Sequence, residues 1–340
     1  MKKAMLWHGE RNGIRCDLCA RKCFIPRGKS GFCQVRINKD NTLYTLTYGK
    51  LCTLNVDPIE KKPLFHFYPG SRALSIATLG CNFKCSFCCN HEISQAVAET
   101  GELKGETYSP RQVVALVKKY KCKIISYTYT EPTIFFEFAY ATTKEAVKEN
   151  ILNTFVTNGY MSDEAIKKIS KHLDAVTVDF KASGSPEFYK KFMGVPTVKP
   201  IYRALRQFKK QRVFIEITNL IVPQLGDDIE LCGRLAEWVN TELGSEVPFH
   251  IIQFHPSFRM MDIPSTPVKT LEMAIREARD AGLRYVYIGN VLGHRDESTY
   301  CYNCGELLIE RVGYEIRRMN LVGDRCPNCS FKINLEMGIR

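Results

Sequence analysis

Residues 73–90 read A-L-S-I-A-T-L-G-C-N-F-K-C-S-F-C-C-N, a short apolar run over 73–78 followed by a loop that carries Cys81, Cys85 and Cys88. Three thiolates spaced C-x3-C-x2-C can converge on one face of a tight loop, an arrangement that suits soft iron or zinc better than a disulfide. Cys89 adjoins the third cysteine, and neighbouring loop residues point apart, so it is poorly placed as a fourth ligand. Three ligands leave one metal position open. An open iron on a four-iron cluster can bind a small molecule, whereas a closed four-cysteine site carries electrons or holds structure.

Outward from this loop the chain alternates strands with amphipathic helices, the pattern of parallel βαβ units. Strands are expected over 73–78, 124–129, 153–157, 175–180, 213–220, 248–254 and 285–288. Ser109-Pro110 and Thr266-Pro267 each read as an N-cap followed by proline at the first helical position, opening helices that reach about residues 120 and 281. Ser162 caps a helix that turns Ala165, Ile166 and Ile169 inward. Six or seven such units in roughly 220 residues favour a partial or full β/α barrel over an open doubly wound sheet.

In either architecture the site lies at the carboxyl ends of the strands. There the sequence places the cysteine loop, then Thr128-Tyr129-Thr130-Glu131-Pro132-Thr133, Thr157-Asn158-Gly159, Asp179-Phe180-Lys181 and Gln253-Phe254-His255-Pro256. Each has a bland reading: turn chemistry for Asn158-Gly159, a helix N-terminal acid for Glu131, a surface loop for His255, an ion pair for Asp179 and Lys181. Their recurrence after five strands of one barrel favours a shared site.

Two further cysteine clusters flank this unit. Residues 15–36 place Cys16, Cys19, Cys23 and Cys33 in a small glycine-containing segment, and four thiolates there make a closed site for zinc or a four-iron cluster. Residues 38–56 read as one or two strands of a small sheet, with Cys52 a buried thiol. Near the C-terminus Cys301, Cys304, Cys326 and Cys329 form two C-x2-C knuckles around two short strands, the pattern of a zinc ribbon, with rubredoxin-type iron as the lesser option. About 40 residues cannot bury enough core to fold unaided, so the metal supplies folding free energy. Cys89, Cys122 and Cys232 are left as core or shell thiols. The organisation is thus an N-terminal four-cysteine segment with a small sheet (1–57), a β/α barrel (58–295) and a ribbon-like module (296–340).

The chain has 340 residues, 45% of them hydrophobic, and 15 cysteines. Clustered cysteines in a lysine-rich chain point to metal in a reducing compartment rather than to a secreted disulfide scaffold. With no long apolar segment, a cytoplasmic protein without a membrane span is expected. The formal charge of +12 invites a nucleic-acid reading. Eleven metal-bound thiolates, set against three sites each with a +2 core, lower it to about +7, and no long basic block accompanies it. Nucleic acid is therefore a lesser candidate partner than protein.

With C-N-F-K-C-S-F-C beside these strand ends, the chain from about residue 58 to 290 resembles the radical S-adenosylmethionine (SAM) enzymes. Within them it is similar to the glycyl-radical activases, the pyruvate formate-lyase activating enzyme group. The matching residues are D-P-I-E-K-K-P-L-F-H-F-Y-P-G before the loop, T-N-G-Y, V-D-F-K-A and Q-F-H-P. The two terminal cysteine modules make it look like the branch associated with AMMECR1 and MEMO proteins. The resemblance implies a 4Fe-4S cluster on Cys81, Cys85 and Cys88, with SAM chelating the open iron. It also implies an oxidoreductase that forms a 5′-deoxyadenosyl radical, reduced by a ferredoxin or flavodoxin and acting on a protein or peptide. Phe87 would lie against the adenine, Glu131 would hold the SAM ammonium, and Asn158, Asp179, Lys181 and His255 match residues around the ribose and carboxylate. The sequence departs at two points: Val156 stands where the activases carry Asp, and Tyr129-Thr130-Glu131 replaces Gly-Gly-Glu. Radical modification or methylation of RNA or of a small metabolite is the alternative within enzymes, and a zinc-only structural or nucleic-acid-binding protein the alternative outside them.

Overall fold

The computed structural model describes residues 1–338. Its centre is an eight-stranded sheet of β1 (Thr53–Pro58), β2 (Arg72–Ala77), β3 (Ile124–Tyr127), β4 (Leu152–Thr157), β5 (Ala175–Lys181), β6 (Phe214–Ile221), β7 (Phe249–Gln253) and β8 (Val286–Gly289). Spatial order follows chain order, with β2 to β8 parallel and β1 antiparallel on the edge, running from Thr53↔Ala77 to Pro58↔Arg72. Because the order never reverses, successive crossovers of one hand lay the helices along one face and curl the sheet around the other. β1 and β8 do not pair, so the barrel is partial. All seven expected parallel strands form. The antiparallel eighth is residues 53–58, so 53–56 join the barrel sheet rather than the small N-terminal sheet expected for 38–56.

The outer layer is α1 (Pro110–Lys119), α2 (Phe136–Val147), α3 (Asp163–Ile169), α4 (Pro186–Met193), α5 (Lys199–Lys210), α6 (Ile229–Leu243) and α7 (Val268–Asp280). Each lays one stripe on the sheet: α5 buries Ile201, Ala204, Leu205 and Phe208, and α7 buries Leu271, Ala274, Ile275 and Ala278, both at helical spacing. The Ser109 capping box and the Ser162 cap form as the sequence implies. Thr266 does not cap α7. Its hydroxyl instead accepts from the Phe254 amide (3.0 Å) and donates to the Ile221 carbonyl (2.7 Å), clamping the ends of β7 and β6. A hydroxyl that serves two buried backbone groups is worth more there than at an exposed helix end.

The connection between β1 and β2 enters the barrel and plugs it. Ile59, Leu64, Phe67 and Tyr68 pack on Ala73, Ile124, Leu152, Ala175 and Phe214, the first inward residues of five strands. Each large apolar side chain buried there contributes about 2 kcal/mol. Above that apolar floor the Glu216 carboxylate accepts from the amides of Phe65 (3.0 Å) and His66 (2.8 Å) and pairs with His250 Nε2 (2.7 Å). Thr177 donates to the Lys62 carbonyl (2.7 Å), and His66 Nε2 bonds the Tyr287 hydroxyl (2.5 Å). An apolar plug thus shields a polar girdle that fixes its register.

Both terminal units attach to this frame. The C-terminal strands Thr299–Tyr300, Leu307–Val312 and Glu315–Met319 form an antiparallel sheet; its Leu308 and Ile309, with Ile333 beyond it, share a core with Phe65, Tyr285 and Tyr287. Buried Arg311 of this unit donates to the Phe65 carbonyl (2.8 Å), reaching into the plug. At the other end Arg36 forms a buried two-bond pair with Glu137 on α2 (2.9 and 3.1 Å), tying the N-terminal cysteine segment to the barrel. Among the described residues no helix is long and apolar enough to cross a membrane.

Candidate active site at the mouth of the barrel

The apolar run of β2 ends at the barrel mouth, and residues 78–90 form the expected loop there. Gly80 begins it with φ +99°, and a Cβ at that position would lie 2.9 Å from Val35 and 3.1 Å from the Cys33 carbonyl oxygen, so only glycine fits. The loop then borrows a partner: the amides of Lys84 and Ser86 donate to the carbonyls of Met193 (3.0 Å) and Phe192 (2.8 Å) at the end of α4. Asn82, 1% exposed, accepts at its side-chain oxygen from Asn158 Nδ2 (2.7 Å) and at its carbonyl from Arg21 Nε. Phe83 is buried edge-on against Tyr160 and Tyr189.

The thiols of Cys81, Cys85 and Cys88 are half-buried, while Cys89 is exposed. Phe83 N–H donates to Cys81 Sγ (3.4 Å), and Ser94 Oγ lies 3.2 Å from Cys88 Sγ. Burial pushes the thiols of Cys81 and Cys85 far above their ordinary range, with Glu131 and the neighbouring cysteines adding to it for Cys81 and with Cys88 adding to it for Cys85. Such thiols become thiolates when a metal cation takes the place of the proton. The donor set therefore fits an iron–sulfur cluster on three cysteines, with backbone and hydroxyl donors available to the sulfurs.

Around the loop the structure gathers most of the strand-end residues singled out in the sequence. Asp179 and Lys181 pair at 3.4 Å at the end of β5, where Asp179 also takes the Thr218 hydroxyl bond and Tyr189 accepts from the Lys181 amide. Burial works against the Lys181 ammonium, but Asp179, Cys85 and Cys89 more than offset it and its pKa stands above the ordinary value. Glu131, 1% exposed, is a knot between strand ends: it accepts from Thr133, from Thr157 Oγ1 (2.7 Å) and from the Asn158 amide (2.9 Å). Burial raises its pKa, and the bonds from Thr133, Asn158 and Thr157 only partly offset that rise. Phe87 lies between Phe188 and Phe254, an apolar wall beside the cysteines. His255, next to Phe254, is exposed and bonded to Ser265 (3.0 Å).

Tyr129, where the resemblance leads one to expect glycine, adopts φ +61°. A left-handed tyrosine costs roughly 1–2 kcal/mol. It is held by its carbonyl accepting from Asn90 Nδ2 (2.8 Å) and by its hydroxyl bonding Asp57. Asp57 is itself paired with buried Lys62 (2.6 Å). Val156 faces the lumen and lines a cavity of about 370 Å³ with Lys61, Asp179, Lys181, Asn290 and Tyr314. Asn82, Tyr189 and the Asp57–Lys62 pair were not expected at the site. Asn82 sits inside the quoted motif, whereas nothing in the spacing marks Tyr189.

The C-terminal quartet is a different kind of site. Cys301 and Cys329 sulfurs are 3.6 Å apart, as are those of Cys304 and Cys326. All four ligand atoms lie within 4.8 Å of one another. A tetrahedral ion with bonds of about 2.3 Å places sulfurs about 3.8 Å apart, so these four fit a single ion such as zinc.

The family model of the Radical SAM superfamily matches residues 75–239. An uncharacterized protein of Methanocaldococcus jannaschii is 43% identical over 340 residues, 99% of this chain and 100% of its own length. Among solved structures, a radical SAM methyltransferase from Sphaerobacter thermophilus is similar with TM-score 0.50 and 15% identity, covering 71% of each chain. Streptococcus suis SuiB bound to S-adenosylmethionine is similar with TM-score 0.50 and 12% identity, covering 66% of this chain and 52% of SuiB. At such identities the likeness to the solved structures is one of fold.

Proposed function

The chain belongs to the radical SAM superfamily, and on that premise we propose a glycyl-radical-activase-like enzyme that abstracts hydrogen from a protein or peptide. A 4Fe-4S cluster on Cys81, Cys85 and Cys88 supplies, when bound with SAM, the reductive cleavage that yields the 5′-deoxyadenosyl radical. The carrying observation is the three-thiol loop at the barrel mouth, with Cys89 turned outward beside it. Asp179 and Lys181 offer opposite charges to the ammonium and carboxylate of a zwitterion. Phe87, Phe188 and Phe254 supply an apolar face for an adenine. Glu131 and Asn158 hold the ends of β3 and β4 in place beneath them, and one oxygen of Glu131 keeps acceptor capacity for an ammonium.

The plug closes the barrel from below and the C-terminal unit walls it at Gly313 and Tyr314, which keeps water from a reactive carbon radical. The cavity of about 370 Å³ is lined by Asp179 and Lys181 as well as by Val156 and Tyr314, so SAM and the reacting part of a substrate would share it. The reading takes a glycine-bearing peptide as hydrogen donor, a ferredoxin or flavodoxin as reductant, and zinc in the C-terminal quartet. The test is anaerobic turnover of reconstituted, reduced protein with SAM. 5′-Deoxyadenosine is expected from the wild type and not from Cys85→Ala, and deuterium is expected to pass into it from a glycine-labelled peptide or protein substrate. No 5′-deoxyadenosine, together with an unchanged ultraviolet-visible spectrum in Cys85→Ala, would refute the reading.

A further inference from the structure

The N-terminal cysteines sit in a place the proposed chemistry does not use. Cys16, Cys19, Cys23 and Cys33 line one small enclosed cavity together with Arg36 and Asn82. All four are free thiols. Among the described residues the C-terminal quartet is the only group of such ligands whose atoms all lie within 4.8 Å of one another. No three of the N-terminal sulfurs therefore approach as the ligands of one tetrahedral ion must. A cuboidal four-iron cluster holds its thiolates further apart, one at each corner, and fills the space between them.

The cavity also presents hydrogen-bond donors with nothing to donate to. Arg36 is 2% exposed and Asn82 is 1% exposed, yet Arg36 Nε and Asn82 Nδ2 are both buried without a partner. Orphaned buried N–H groups cost about 1–3 kcal/mol each, and bridging sulfides or thiolates are acceptors that would satisfy them. Charge agrees with this: Arg36 on one side and Arg21 on the other lie within electrostatic range of the cysteines.

We propose that Cys16, Cys19, Cys23 and Cys33 bind a second 4Fe-4S cluster, closed by four thiolates, with Arg36 Nε and Asn82 Nδ2 donating to its sulfurs. It stands directly behind the catalytic loop. Gly80 packs on the Cys33 carbonyl, Arg21 bonds the Asn82 carbonyl, and Asn82 lines the cavity while following Cys81 in sequence. A closed cluster so placed carries one electron at a time: one enters from a low-potential donor of the ferredoxin or flavodoxin class and one leaves toward the loop, with no proton moved. This relay role rests on the reading of the loop given above; the presence of the cluster does not.

The experiment counts metal in the full-length protein after anaerobic reconstitution, for the wild type and for the triple variant Cys81→Ala/Cys85→Ala/Cys88→Ala. The wild type is expected to hold about eight irons, eight acid-labile sulfides and one zinc per chain. The triple variant is expected to keep about four irons and four sulfides, with the electron paramagnetic resonance signal of a reduced four-iron cluster. A wild type with about four irons and two zincs, and a triple variant with none of that iron, overturns the second cluster while leaving the catalytic loop standing. Equal iron in the two proteins overturns the loop reading instead and supports the N-terminal site. With both clusters reduced, the wild-type signal should be broadened by coupling between neighbouring spins relative to the triple variant. A sharp sum of two independent signals overturns the relay.

Discussion

Glu216→Gln is the most informative single change to the barrel interior. The wild-type carboxylate, fully buried, accepts two backbone amides of the plug and pairs with His250. Glutamine keeps the shape but replaces one acceptor oxygen with a donor, so either Phe65 N–H or His66 N–H is left facing an NH2 group. An unsatisfied buried donor costs about 1–3 kcal/mol, and losing the charge from the surviving bonds costs about 1 kcal/mol more. The sum is about 3 kcal/mol, and because the plug carries its own apolar floor it should be felt as local opening before global unfolding. At 1.4 kcal/mol per tenfold, plug opening becomes about 150-fold more frequent. Native-state hydrogen exchange of the amides in residues 59–68, compared with those of β5 and β6, measures it. Protection of the plug that changes less than about fivefold would show that Glu216 does not pin it.

Two other outcomes follow from the same frame. Burial lowers the Lys62 pKa to about 8 despite its Asp57 partner, whereas an unfolded lysine titrates near 10.4. Between those values the unfolded chain binds the extra proton, so stability relative to Lys62→Met should rise with pH from 8 toward 10, by at most about 1.4 kcal/mol per unit. Denaturant midpoints at pH 7.5 and 9.5 check the sign, and a falling difference would contradict it. With the proposed zinc in the C-terminal quartet, Cys304→Ser should free residues 299–338 to protease at least about tenfold faster. Because Arg311 anchors Phe65, hydrogen exchange in residues 59–68 should rise as well, and an unaffected plug would contradict that coupling.

The legibility of the chain was uneven for physical reasons. Parallel strands are buried on both faces and read as apolar runs, which is why β2 to β8 could be placed within a residue or two. Cysteine spacing marks ligand sets because a loop of fixed length brings its thiols together locally. The Thr266 hydroxyl, the plug and Tyr189 were illegible because their partners are distant in sequence: Thr266 bonds Ile221, and Glu216 bonds Phe65.

By itself, then, the sequence determined the alternation of strands and helices, the three cysteine sets and the strand-end positions where chemistry could sit, since all of these are encoded by local period and spacing. Only the tertiary structure decided how far apart each set of sulfurs stands, which separates the single-ion quartet at the C-terminus from the wider N-terminal four. It also decided that residues 59–68 fill the barrel and that Asn82, next to Cys81 in sequence, lines the N-terminal cysteine cavity. Those facts depend on contacts between segments that no local pattern connects.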